Sequence, residues 1–250
     1  MSGHSKWHSI KHKKGAADKA RGKLFAVLIR QIEVAARTGG GDPESNATLR
    51  TMVQKARDAS VPVDTIQRAI RRGTGEEEGV TYESVSYEGY APGGVALMVA
   101  CLTDNRARTA PDIRFAFDRH GGSIGSPGSV SFLFAFRAIF AAEKGERDED
   151  AWTELALEAG AEDVRIEGDV VTLVAPAPDF LSVKQKLEEK SVTLLSAQTG
   201  WMPGSTVAIA DKETARKVLG LIDVLEENDD VQNVYANYEI PDDWARELQA

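Results

Sequence analysis

Four lysines, Lys6, Lys11, Lys13 and Lys14, surround one tryptophan, Trp7, in a stretch that holds no acidic residue. Clustered ammonium groups neutralise phosphates whatever the base sequence, and an aromatic ring among them stacks on a base or wedges between base steps. His4, His8 and His12 recur there at four-residue spacing, which would put three imidazoles on one face of a helix. That convergence suits a metal, but flanking lysines repel a cation and no carboxylate is near, so no metal site is expected. Lys19, Arg21 and Lys23 continue the basic run. Arg68, Arg71 and Arg72, three and four residues apart, share one face of a helical segment opposite Ile66 and Ile70. These lysines and arginines, with Trp7, form the expected nucleic-acid-binding set. Arg50 and Arg57, seven apart, extend it, and Asn105-Arg106-Ala107-Arg108 is a weaker candidate.

The remaining reactive residue types do not assemble a catalytic site. His120 precedes Gly121-Gly122 at a helix end, where a cationic ring favours the helix dipole. Ser126 and Ser129 lie in a glycine-rich stretch without the strand, elbow and helix order that exposes a nucleophilic serine. Gly39-Gly40-Gly41 follows a helical pattern rather than a strand, so it is no phosphate-cradling nucleotide loop. Carboxylates crowd solvated helix faces, and no pair stands out as acid and base. The single cysteine, Cys101, sits inside an apolar run and reads as a buried thiol. No enzymatic activity and no cofactor are expected.

The net charge of −9 conceals an asymmetry. Residues 1–75 hold 15 Lys and Arg against 6 Asp and Glu, and residues 76–250 hold 15 against 33, giving +9 and −18. A basic part on an acidic chain points to a polyanion partner that the remainder turns away from. No apolar run approaches a membrane span: Leu24–Ile29 is closed by Arg30, and Val130–Ala142 is interrupted by Arg137. The basic start lacks the arginines on which mitochondrial transit peptides lean. No membrane association and a cytoplasmic location are the expectations.

The elements that must carry these residues follow from periodicity. Leu24, Val27, Leu28, Ile32 and Ala35 form a helical stripe from about Ala16 to Arg37. Asp42-Pro43 reads as an N-cap and first helical proline for a second helix to about Ala59, and a third runs from near Asp64 to Gly73. Beyond the acidic, glycine-bounded run 75–79 the period becomes two. Strands are predicted over Val80–Tyr90 and Gly94–Leu102, then a helix capped at Thr109-Ala110-Pro111-Asp112 and ending by Gly121, then a strand over Ser129–Phe134. Residues 137–196 read strand, helix, strand, strand, helix, strand, a complete βαββαβ unit. A strand over Ser205–Ala210, a helix over Lys212–Glu227 and a strand over Val231–Tyr238 complete the interrupted unit around it. Val170-Val171-Thr172-Leu173-Val174 carries no aromatic, so the βαββαβ unit is no RNA-recognition motif and reads as a spacer or protein contact.

Several blocks together resemble the YebC family: Gly3-His4-Ser5-Lys6-Trp7 with Ile10-Lys11-His12-Lys13-Lys14, Arg68–Gly75, Tyr87–Gly94, Leu102–Thr109, Gly128-Ser129-Val130 and Asp229–Tyr235. That family includes bacterial proteins called probable transcriptional regulators and the mitochondrial translational activator of a cytochrome oxidase subunit. The resemblance implies an α+β protein of three domains, a small N-terminal helical domain and two ferredoxin-like α/β domains, one inserted in the other. The expected boundaries are 1–77 for the basic domain, 78–136 with 202–240 for the acidic α/β domain, and 137–201 for the insertion. Ala135-Phe136-Arg137 departs from the family pattern at the boundary of the insertion. The resemblance also implies one of two activities. One is DNA binding in transcriptional control; the other is ribosome binding, through ribosomal RNA, that helps translation through proline-rich stretches. Because the chain begins on the family's first block, no organelle presequence and a bacterial source are expected.

Overall fold

The computed structural model describes the backbone of residues 17–241, 244, 247 and 248, and their side chains from residue 22 on. Phe132–Ser205 form one compact unit, and the segments on either side of it belong to a second. The protein is an α+β chain with an N-terminal helical region followed by two α/β parts.

Three helices open the second unit: α1 (Ala17–Gly39), α2 (Ala47–Asp58) and α3 (Val63–Thr74). Their apolar residues recur every three or four positions, so each helix turns one stripe inward. Leu28, Ile32 and Ala36 of α1 meet Leu49, Val53 and Ala56 of α2 and Ile66 and Ile70 of α3. Helix α3 crosses α1 closely at Gly73, where a Cβ would stand 2.5 Å from the Glu33 carbonyl oxygen.

The second helix does not begin at Asp42-Pro43. Its N-cap is Asn46, whose Oδ1 accepts from Leu49 N at 3.0 Å while Nδ2 donates to the carbonyls of Ala35 (2.8 Å) and Gly40 (2.9 Å). An amide both donates and accepts, so one buried side chain closes the end of α1 and the start of α2. Asp42 can only accept, and it folds the preceding turn by taking Glu44 N and the Ser45 hydroxyl.

The second unit continues as a sheet in the order β3-β1-β2-β9, built from β1 (Glu83–Ala91), β2 (Val95–Thr103), β3 (Ser123–Ile124) and β9 (Val231–Ala236). Helices α4 (Arg106–Arg119) and α7 (Lys212–Glu227) cover one face, packing Ile113, Phe117, Val218, Leu221 and Leu225 on Val95, Leu97 and Val99. Helix α4 starts three residues before the predicted Thr109 cap. Asn105 caps it by accepting from Arg108 N at 3.1 Å, and Thr109 is buried one turn inside. The predicted strand over Ser129–Phe134 is also absent: Ser131–Leu133 form a 3-10 turn. Its donors are taken by a side chain instead. The Glu88 carboxylate accepts from Gly128 N and Val130 N at 2.8 Å and from Ser131 N at 2.9 Å. The edge of the sheet is β3, paired with Gly89 and Tyr90. Of the predicted strand over Ser205–Ala210 only β8 (Val207–Ala208) forms, parallel to β10 (Tyr238–Glu239) in a separate two-stranded sheet.

The first unit contains β4 (Phe134–Glu143), α5 (Glu149–Ala159), β5 (Asp163–Glu167), β6 (Val170–Pro176), α6 (Phe180–Glu189) and β7 (Leu194–Pro203). Its antiparallel sheet has the ferredoxin-like order β5-β6-β4-β7, and Phe140, Trp152, Leu173, Phe180 and Leu187 fill the layer between sheet and helices. Strands β4 and β7 outrun their predicted lengths because they stay paired as far as Phe134 opposite Pro203.

Asn46 ties two helix ends together in the helical region. Asn46→Ala removes an N-cap and the amide donor shared by the Ala35 and Gly40 carbonyls, so it should lower unfolding free energy by about 1–3 kcal/mol. Urea melts of the two proteins, read by helical circular dichroism, check this; coincident midpoints would contradict the double-cap role.

Candidate nucleic-acid interface

Lys6, Trp7, Lys11, Lys13 and Lys14 lie outside the described residues, and Lys19 and Arg21 are described in backbone only, on the first turns of α1. Lys23 is placed, and it faces protein. Its ammonium donates to the Glu226 carbonyl and, at 2.9 Å, to that of Asn228. Arg30, seven residues on and therefore on the same face, donates to the Asp229 carbonyl at 2.5 Å and lies 5.5 Å from the Tyr82 ring centre. The last carbonyls of a helix have no intrahelical donor and carry the negative end of its dipole, so Lys23 at Glu226 satisfies both needs, and Arg30 serves the turn just beyond α7.

Arg68, Arg71 and Arg72 do share the outer side of α3, but they are not equivalent. Arg72 reaches the buried Glu33 on α1 at 3.3 Å. Arg71 pairs with Glu77 at 2.6 Å just beyond the helix, and the Arg71 bond and charge hold the Glu77 carboxyl below its ordinary range. Arg68 is exposed and has no ion-pair partner among the described residues. The turn that returns Glu77 to Arg71 is made by Gly75, whose φ of 84° is left-handed backbone that glycine adopts without strain. Of the two arginines on α2, Arg50 donates to the carbonyls of Pro43 and Glu44, whereas Arg57 is exposed.

The weaker candidate, Asn105–Arg108, is the capped first turn of α4. Arg108 Nη2 donates to Asp104 at 2.9 Å and to both oxygens of Asp230 at 2.8 and 3.0 Å. The Thr109 and Thr103 hydroxyls complete the shell, donating to Asp230 at 2.8 and 3.1 Å. Burial by itself raises the Asp230 carboxyl, but the bonds from Arg108, Thr109 and Thr103 outweigh it and hold the group below its usual value. Glu88 shows the same balance, burial opposed and outweighed by three backbone N–H donors. Nearby Cys101 is buried, and burial with the Asp230 charge pushes its thiol up to about 12, which makes it inert. His120 Nδ1 lies 2.9 Å from the Ala116 carbonyl oxygen at the end of α4. No cluster of three or more His, Cys, Asp or Glu that could hold a metal occurs among the described residues.

Glu33, Glu88 and Asp230 are the acids that sequence reasoning passed over. The signal for Asp230 was present in Asp229-Asp230-Val231, a carboxylate entering an apolar strand, where only a partnered charge is tolerated. Asp230→Asn should cost about 1–3 kcal/mol at pH 7, since Arg108 is half exposed and keeps Asp104. The folded carboxyl titrates below its unfolded value of about 3.9, so its stabilisation is complete above about pH 4. It is lost as pH falls through the folded pKa. Guanidinium unfolding at pH 7 and pH 3 should show the gap between the two proteins narrowing in acid; a constant gap would exclude an ionised Asp230 as the source.

Comparison with known proteins bears on the whole chain. Residues 5–76 match the model of the TACO1/YebC protein N-terminal domain, and residues 82–238 match that of the TACO1/YebC second and third domain. A "probable transcriptional regulatory protein" of Rubrobacter xylanophilus is 53% identical over 99% of both chains. One of the same description from Persephonella marina is 50% identical over 96% of both. The crystal structure of a conserved hypothetical protein from Aquifex aeolicus superposes with a TM-score of 0.84 at 48% identity, covering 94% of this chain and 97% of that one. Matches that span both the basic helical region and the α/β parts, at half the residues identical, establish that the chain belongs to the TACO1/YebC family.

Proposed function

We propose that this protein is a non-enzymatic, cytoplasmic regulator of gene expression that binds nucleic acid through its basic N-terminal region. The segregation of charge carries the reading: residues 1–75 hold a net +9 on a chain of net −9. Lys23, Arg30, Arg50 and Arg72 are spent on internal carbonyls and on Glu33, which leaves the phosphate grip to a smaller set. That set is Lys6, Lys11, Lys13 and Lys14 with Trp7, joined by Lys19, Arg21 and the exposed Arg68, with Arg71 recruited when phosphate replaces Glu77. Among the described residues no helix is long and apolar enough to cross a membrane.

The names of the relatives support transcriptional control, in which the partner is duplex DNA. A second reading, a translation factor on the ribosome that relieves stalling at proline-rich stretches, is favoured by one observation. Arg71 and Arg72 are tied to Glu77 and Glu33, so the outer side of α3 lacks a free row of base-reading side chains for a major groove. Lysines around one aromatic ring suit irregular, partly unstacked RNA.

Sedimentation with ribosomes, set beside gel shifts on promoter duplexes at physiological salt, separates the two. Binding to a promoter with no ribosome association would remove the translational reading, and the converse result the transcriptional one. In either case log affinity should fall linearly with log salt, and Lys13→Ala should reduce the slope by roughly one unit. Replacing Lys11, Lys13 and Lys14 together by Gln should abolish binding while leaving thermal unfolding unchanged; retained binding would overturn the arm's role.

A further inference from the structure

Helices α4 and α7 lie side by side on the outer sheet, and the seam between them is open on its solvent side. A groove of about 300 Å³ runs there, with Phe115, Ala116, Val224 and Leu225 along it and the carboxylates Asp112 and Glu227 at its rim. Phe115 is 63% exposed and Val224 41%, although Ala116 and Leu225 beside them are buried. Exposed apolar surface next to an aliphatic floor offers a contact surface to a partner. The acidic rim suits a partner that carries an aromatic side chain among cations.

One segment of this chain has that composition, and the helix that follows it in sequence reaches the groove. Asn228 lines the groove, and Lys23 of α1 donates to its carbonyl at 2.9 Å. Lys23 lies six residues, or about 9 Å of helix, from the start of α1 at Ala17, and the ten residues from Trp7 to Ala17 span up to about 33–36 Å when extended. The segment brings Lys6, Lys11, Lys13 and Lys14 with Trp7 and no acid, to a chain whose residues 76–250 carry a net −18. The guanidinium of Arg119 stands 6.0 Å from the Phe115 ring centre on the α4 side, so an incoming lysine is drawn instead toward Asp112 and Glu227.

We propose that, when no polyanion is bound, the N-terminal arm docks in this groove, with Trp7 against Phe115 and Val224 and its lysines toward Asp112 and Glu227. The contact is small, but a short tether holds the arm at an effective concentration in the millimolar range, so weak affinity suffices. The same lysines cannot neutralise carboxylates and phosphates at once. Docking therefore lowers apparent affinity for nucleic acid by the fraction of molecules in which the arm is free. This consequence rests on the nucleic-acid reading above; the docking itself does not.

The test uses the full chain, without nucleic acid. A nitroxide is attached at Ser9→Cys, Cys101 being buried, and amide signals are compared with the label oxidised and reduced. At low salt the amides of Phe115, Ala116, Val224 and Leu225 should broaden. They should recover at about 1 M salt, where the screening length is about 3 Å, and in Phe115→Ser, an exposed position whose thermal unfolding should match wild type. Sharp groove signals at low salt, or broadening that survives in both Phe115→Ser and Trp7→Ala, would overturn the proposal. With docking established, unlabelled Phe115→Ser should bind a single-stranded RNA oligonucleotide about three- to tenfold more tightly than wild type at low salt. If neither protein binds any nucleic acid while the broadening persists, the nucleic-acid reading fails and the docking stands.

Discussion

The end of helix α7 must be satisfied before the second unit can hold together. Its last carbonyls and the turn that follows point a row of acceptors, with the negative end of the dipole, out of the acidic part of the chain. Lys23 and Arg30 supply the donors, so the longest helix of the basic region is fastened where the acidic region most needs cations. One residue further on, Asp230 turns inward and collects Arg108, Thr103 and Thr109. Residues 226–230 are thus gripped by α1 from one side and by the first turn of α4 from the other. Part of the charge segregation is internal mortar, and only the rest is available to a partner.

That division explains what could be read in the sequence. The stripe Leu28, Ile32 and Ala35, the helix over Lys212–Glu227 and the alternation of the first unit are local patterns, and each formed within a few residues of its expected position, although Leu24, expected in that stripe, is exposed. Three of the departures share one cause, a side chain that satisfies backbone or charge far away in sequence. Asn46 reaches back to Ala35, eleven residues away, and so displaces the helix start from Asp42. Thr109 is claimed by Asp230, 121 residues away, so a residue that looks like a cap is buried instead. Glu88 takes the donors of Gly128, Val130 and Ser131, and a segment with strand composition becomes a turn.

The candidate site was legible to the same extent. Helical spacing put Arg68, Arg71 and Arg72 on one side of α3, which spacing alone can do. It could not show that Glu33, 39 residues from Arg72, occupies one of them, or that the turn at Gly75 brings Glu77 to another. Lysines have the same ambiguity: Lys23 sits in a run that reads as a phosphate grip, yet its ammonium caps a helix.

The ends of the first unit carry a different consequence. Gly204 N donates to the Leu133 carbonyl at 2.9 Å, and Phe134 stands opposite Pro203, so the chain leaves and returns at one place. Just before the departure, three amides are fanned onto Glu88. To the outer fold, everything between these points is a closed loop, and the entropy of closing a loop grows only with the logarithm of its length. A whole module can therefore be carried there at almost no thermodynamic expense to its host, and can diverge in surface and sequence while the host's sheet keeps its register.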